Sequence, residues 1–129
     1  LTTGAKSTEE NLPNIFYVNW FRKDENGKWL WPGFGENSRV LEWVFNRCDG
    51  SDDAVETPIG YLPNADSINL DGLDVSDAEM EELLKVDAQA WINEVELIKE
   101  HYEKFGDKLP QGLKDELDAL EDRLKKAIG

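Results

Sequence analysis

The chain has 129 residues, 40% of them hydrophobic and 33% charged, with five Trp and five Phe, which is enough for one small folded domain and excludes a disordered polar segment. Its formal net charge of -14 makes nucleic acid and anionic membrane poor partners and, for the chain taken alone, disfavours a triphosphate. No apolar run reaches the length of a membrane span, no signal-peptide pattern is visible, and the lone Cys48 cannot form an internal disulfide, which together fit a reducing, cytoplasmic setting.

The start at Leu1, without Met, reads as the interior of something larger. Residues 1–14 read as a flexible polar lead and 15–129 as a single partial domain. Ile15 to Phe21 is apolar or aromatic except at Asn19, the pattern of a strand buried on both faces. The chain offers that strand few sheet neighbours, and an open edge invites pairing with a second copy, so self-association of the chain is an expectation. Asn26-Gly27 predicts a tight hairpin turn, because both positions tolerate positive φ. Trp29-Leu30-Trp31 returns as the second arm, which Pro32 ends for want of a ladder donor. Gly33 and Gly35 let the backbone turn sharply around Phe34. Asn37 or Ser38 then caps a helix with Val40, Leu41, Val44 and Phe45 on one face, stopped at Asp49-Gly50.

Residues 51–74 are turn-rich, broken by Asp52-Asp53, Pro58, Gly60 and Pro63 into short extended pieces anchored by Ile59, Tyr61 and Leu62. Ser76 and Glu79 form a capping-box pattern ahead of Met80, Leu83 and Leu84. Asp87 caps a longer helix whose Trp91, Val95, Ile98, Tyr102 and Phe105 share a stripe closed by Gly106. A last helix presents Leu113, Leu117, Leu120, Leu124 and Ile128. The content is α+β, a hairpin followed by helices.

Chemistry concentrates between Phe16 and Asn37. Phe16, Tyr17, Trp20, Phe21, Trp29, Trp31 and Phe34 crowd into one short region. Rings like these build either a core or a flat-walled slot for a flat ligand such as a purine base. In the slot reading Phe21, Trp29 and Phe34 converge because the turn folds the chain back. Asn37 then supplies what stacking lacks, a carboxamide with a donor and an acceptor for a base edge. Pro32-Gly33-Phe34-Gly35-Glu36 lacks the Lys-Ser/Thr ending of a phosphate loop, and Glu36 opposes phosphate, so a shaped turn is the better assignment. No catalytic residue and no metal ligand is assigned: His101 lies on an acidic helix face without ligand spacing. Cys48, beside Asp49 and far from any His, reads as structural. A slot of this kind also suits a Pro-rich peptide, so a free-standing interaction module stays open, as does a helical scaffold without a ligand.

Two strings are more specific than composition. Asn19-Trp20-Phe21-Arg22-Lys23-Asp24 and Leu30-Trp31-Pro32-Gly33-Phe34-Gly35-Glu36-Asn37-Ser38-Arg39-Val40-Leu41, with Thr57-Pro58-Ile59-Gly60 downstream, closely resemble the C-terminal part of GTP-dependent phosphoenolpyruvate carboxykinase. The resemblance covers nearly the whole chain, in pattern more than in residues along the helical tail. It implies that 15–129 is part of the nucleotide-binding C-terminal domain of a larger α/β enzyme, a decarboxylating lyase of gluconeogenesis. That family converts oxaloacetate and GTP to phosphoenolpyruvate, carbon dioxide and GDP, reversibly, with Mn2+ or Mg2+. It implies further that Phe21, Trp29 and Phe34 match the rings around guanine and that Asn37 matches the asparagine on the base. The family's middle ring is usually Phe, so Trp29 is a departure, though a larger ring still stacks. The family's phosphate loop, metal ligands, substrate arginines and mobile lid match nothing in this chain and are expected upstream of Leu1. The chain alone is therefore expected to be inactive.

Overall fold

The computed structural model describes residues 12–129. Most of the polar lead, residues 1–11, lies outside them. The described elements run α1 (Asn37–Cys48), β1 (Val55–Thr57), β2 (Gly60–Leu62), α2 (Asp77–Leu84), α3 (Ala88–Glu103) and α4 (Gln111–Ile128), with single 3-10 turns at Phe34–Glu36 and Gly106–Lys108. The α+β class holds, although the paired strands fall after the first helix. β1 and β2 form a two-stranded antiparallel hairpin with Val55 opposite Leu62 and Thr57 opposite Gly60.

Ile15 to Phe21 is not a strand buried on two faces. It runs without a ladder partner among the described residues, and only Phe16 and Trp20 pack inward, while Ile15, Tyr17, Val18 and Phe21 are exposed. An apolar run becomes a two-faced strand only where neighbouring strands cover it, and none does so among the described residues.

The following turn forms, but not around Asn26-Gly27 as its central pair. A single bridge joins Lys23 to Trp29. Gly27 N–H donates to Asp24 O at 3.1 Å, Asp24 N–H to Lys28 O at 2.9 Å, and Gly27 alone in the loop takes positive φ, 82°. This is the three-residue hairpin loop that ends in a left-handed glycine. Asp24 organises it: Oδ1 accepts from the N–H groups of Asn26 and Lys28 at 2.9 and 2.8 Å.

Two apolar cores hold the described residues together. Trp31, Trp43, Ile68 and Met80 form the first, with Phe16, Trp20, Val40, Val44 and Leu83 among the residues packed against it. Phe16 meets Trp43 edge to face at 6.0 Å. The buried face of α1 therefore runs through Val40, Trp43 and Val44, whereas Leu41 and Phe45 face outward, which corrects the expected face. Trp43 also ties down the next loop, its indole N–H donating to Asp53 O at 2.8 Å. Ile68, rather than the exposed Tyr61, anchors the 51–74 segment.

Ser76 and Glu79 make the full capping box of α2, and Asp87 caps α3 by accepting from Ala90 N–H at 2.9 Å. Val95 of α3 and Leu117 and Leu124 of α4 make the second core, with Trp91, Ile98, Tyr102, Leu120 and Ile59 against it. Phe105, Leu113 and Ile128 sit at the margins and are exposed. Arg123 Nε donates to Pro58 O at 2.9 Å and links this helical pair to the β1–β2 turn.

Candidate functional site

The hairpin loop places Phe21 and Trp29 on adjacent arms, Trp29 as one partner of the Lys23–Trp29 bridge and Phe21 two residues before the other. Their centroids are 6.0 Å apart at an interplanar angle of 67°. The pair is edge to face, a favoured aromatic geometry, and not a parallel slot. Phe21 is 74% exposed and Trp29 50%. Lys23 Nζ lies 4.1 Å from the centre of the Trp29 ring, within cation–π range.

Phe34 follows Gly33, which adopts φ 83° and ψ -166°, a conformation open essentially to glycine. Phe34 itself has φ 21°, the one positive value at a non-glycine residue among those described. Its ring is 99% exposed and pairs with no other described ring. A large apolar ring is thus held in water, outside both cores, by a turn that costs conformational energy.

Asn37 opens α1, but neither it nor Ser38 is the helix cap that the sequence suggests. Glu36 occupies the cap position without a side-chain bond, and Ser38 Oγ donates to Gly35 O at 2.9 Å. The Asn37 carboxamide is half-buried, and its Oδ1 accepts from Trp31 Nε1–H at 2.9 Å. Arg39 fixes the head of the same helix. It bonds Glu36 through Nε at 2.6 Å and donates to the carbonyls of Asn69 and Asp71 at 2.7 and 2.9 Å. Glu36 is thus paired with a cation rather than free to repel an anion.

The charge here also differs from the chain's average. Residues 22–39 carry four cations, Arg22, Lys23, Lys28 and Arg39, against three acids, within a chain of net charge -14. That local balance, legible in the sequence, was hidden by the overall total. Arg22 binds the end of α2, donating to Leu83 O at 2.9 Å and to Glu82 at 3.3 Å, and so holds the Phe21 arm in place. A broad groove of about 760 Å³ lies elsewhere, lined by Glu42, Asp66, Asp71, Asp77 and Glu81 among others, and its carboxylates suit no anionic ligand. Among the described residues no group of three or more His, Cys, Asp or Glu side chains is placed to hold a metal ion. No described helix is long and apolar enough to cross a membrane.

Residues 1–123 match the family described as the phosphoenolpyruvate carboxykinase C-terminal P-loop domain. The chain belongs to that family. It is 54% identical over 127 residues to a protein of Treponema pallidum (strain Nichols) named phosphoenolpyruvate carboxykinase [GTP], an alignment covering 98% of the chain and 21% of the relative. A protein of the same name from Neocallimastix frontalis is 55% identical over 129 residues, covering 99% and 21%. One from Arthrobacter sp. (strain FB24) is 47% identical over 124 residues, covering 96% and 20%. The chain thus spans about a fifth of the length of the curated relatives it matches. These matches give the peptide-docking alternative no support.

Proposed function

We propose that this carboxykinase segment supplies the guanine end of a GTP site, with Phe21, Trp29 and Phe34 stacking on the base and Asn37 meeting its edge. The observation that carries this is the exposed Phe34 ring on its strained Gly33 turn, three residues from a half-buried, oriented carboxamide. Stacking adds about 1–3 kcal/mol per ring and exists for any base, so the choice of base falls to Asn37. The GTP in the relatives' names supports the same choice. The Phe21–Trp29 edge-to-face pair offers one wall, and Phe34 offers a second that rotates about its own side-chain bonds.

In the whole enzyme this site would hold GTP while oxaloacetate is converted to phosphoenolpyruvate and carbon dioxide with release of GDP. Mn2+ or Mg2+ would neutralise the phosphates there, but the described residues of this chain do not fit such an ion. What the segment contributes is binding and orientation of the base, remote binding that helps align the reacting phosphate. A cytoplasmic setting accords with the exposed free thiol of Cys48.

The test is nucleotide binding by the full-length protein that carries this segment, followed through Trp fluorescence. GTP is expected to quench, and Phe34→Ala or Asn37→Ala to weaken the response. An unchanged titration in both variants would remove the assignment. Taken alone, the segment is expected to show no turnover of oxaloacetate, and measurable turnover would overturn that. The exposed Ile15, Tyr17 and Val18 make self-association of the isolated segment the expected result of light scattering, and a monodisperse monomer would count against it.

A further inference from the structure

We propose that Trp31 determines the base preference of this site by fixing which end of the Asn37 carboxamide faces the ligand; the proposal rests on the assignment of Asn37 to the base edge. Trp31 is 6% exposed, locked in the first core by Trp43, Ile68 and Met80. The Pro32-Gly33 turn brings the chain back so that its indole Nε1–H reaches Asn37 Oδ1 at 2.9 Å. An indole nitrogen donates and cannot accept. The carboxamide must therefore turn its oxygen toward Trp31. The reversed amide would set N–H against N–H and leave a half-buried donor unpaired, a penalised arrangement.

The consequence is a fixed polarity at the surface. Nδ2 makes no bond among the described residues, and Oδ1 keeps one lone pair after accepting from Trp31. The outward edge is a donor beside an acceptor, in a set order. Guanine offers O6, an acceptor, beside N1–H, a donor. Adenine offers the N6 amino donor beside N1, an acceptor, which is the opposite order. A carboxamide free to rotate half a turn would serve both bases. Trp31 removes that freedom without touching the base, as a positioning residue acting through Asn37.

The experiment uses the full-length protein carrying this segment and compares affinities for GTP, ITP and ATP. ITP keeps O6 and N1–H but lacks the exocyclic amine. Trp31→Phe keeps an aromatic ring in the core and deletes the N–H. The expected result is a GTP-to-ATP affinity ratio lowered by about tenfold, the factor that one ordinary hydrogen bond supplies, with ITP following GTP. A merely structural role for Trp31 would weaken all three nucleotides alike and leave the ratio unmoved, and that outcome overturns the proposal. Where Trp31→Phe does not fold, the near-isosteric 3-benzothienylalanine at position 31 makes the same deletion without opening a cavity. Asn37→Ala separates the two levels. A fall in GTP affinity there, with an unmoved ratio in Trp31→Phe, leaves the base site standing and sinks the role of Trp31. No effect of Asn37→Ala on GTP sinks both.

Discussion

Lys28 Nζ stands 2.8 Å from Glu79 Oε1, so a residue at the end of the first hairpin loop is paired with the capping box of α2. Glu79 also accepts from Ser76 N–H and Ser76 Oγ–H at 2.9 and 2.8 Å. The Lys28 bond first, and the Ser76 bonds next, hold its pKa at about 2 instead of the usual 4.5, while Lys28 is pushed up. A carboxyl depressed on folding stabilises the native state above its unfolded pKa, and the contribution is lost as pH falls from about 4.5 through about 2. Denaturant unfolding across that window is expected to show falling stability, and Glu79→Gln to flatten part of the fall. An unchanged slope in the variant would show that the ion pair does not form.

Glu121 is the second such group. Lys125 and Lys99 reach it at 2.6 and 2.8 Å and hold its pKa at about 2, Lys125 contributing most. Lys99 belongs to α3 and Glu121 to α4, so this cluster staples the helical pair. Glu121→Gln is expected to remove a separate part of the same acid dependence. Its effect should add to that of Glu79→Gln, since the two sites share no partner. Strong non-additivity in the double variant would mean that the two cores unfold through a shared coupling.

The inward face of α1 can be tested by contrast. Trp43→Ala is expected to cost about 3–5 kcal/mol, because it empties the centre of the first core. Leu41→Ala, on the outward face, is expected to change stability by no more than about 0.5 kcal/mol. Equal costs in chemical denaturation would contradict the observed face.

Arg22 offers a fourth measurement. Deleting its bonds to Leu83 O and Glu82 with Arg22→Ala is expected to cost about 1–2 kcal/mol, as loss of charged hydrogen bonds at a half-buried site. Arg22→Lys should recover little, because a single ammonium cannot reproduce the two-pronged contact. Full recovery in thermal melts would make the contact a matter of charge alone.

For Phe34, stability and binding are expected to separate. Phe34→Ala removes a ring that touches water on nearly every side, so its melting behaviour should stay within about 0.5 kcal/mol of the parent. GTP affinity of the full-length protein should fall by about 1–3 kcal/mol. A clear loss of stability with no loss of affinity would make the ring structural.

Local signals in the sequence carried through where the physics was local. Ser76 with Glu79, and Asp87 ahead of Ala90, need only a few residues of backbone to satisfy helix-end N–H groups, and both formed. The Trp91–Val95–Ile98–Tyr102 stripe found its partner in α4 because the two helices follow one another. Ile15 to Phe21 failed as a strand because pairing depends on neighbours that its own letters do not describe. On α1 the apolar pattern of Val40, Leu41, Val44 and Phe45 concealed Trp43, the side chain that decides which face turns inward. The rings of the candidate site were visible by type and spacing. The bond between Trp31 and Asn37 was not, since Asn at a helix start more often caps, and only the Gly33 bend brings the indole to it.

The helical pair α3–α4 has its own apolar seam and meets the rest through Ile59 and the Arg123–Pro58 bond. Damage to that seam should therefore surface in calorimetry as an early shoulder, before the aromatic turn gives way. A reporter dye or a fusion partner is best grafted there, at the solvent side of α4, where it leaves the emission of Trp29 and Trp31 unmuted.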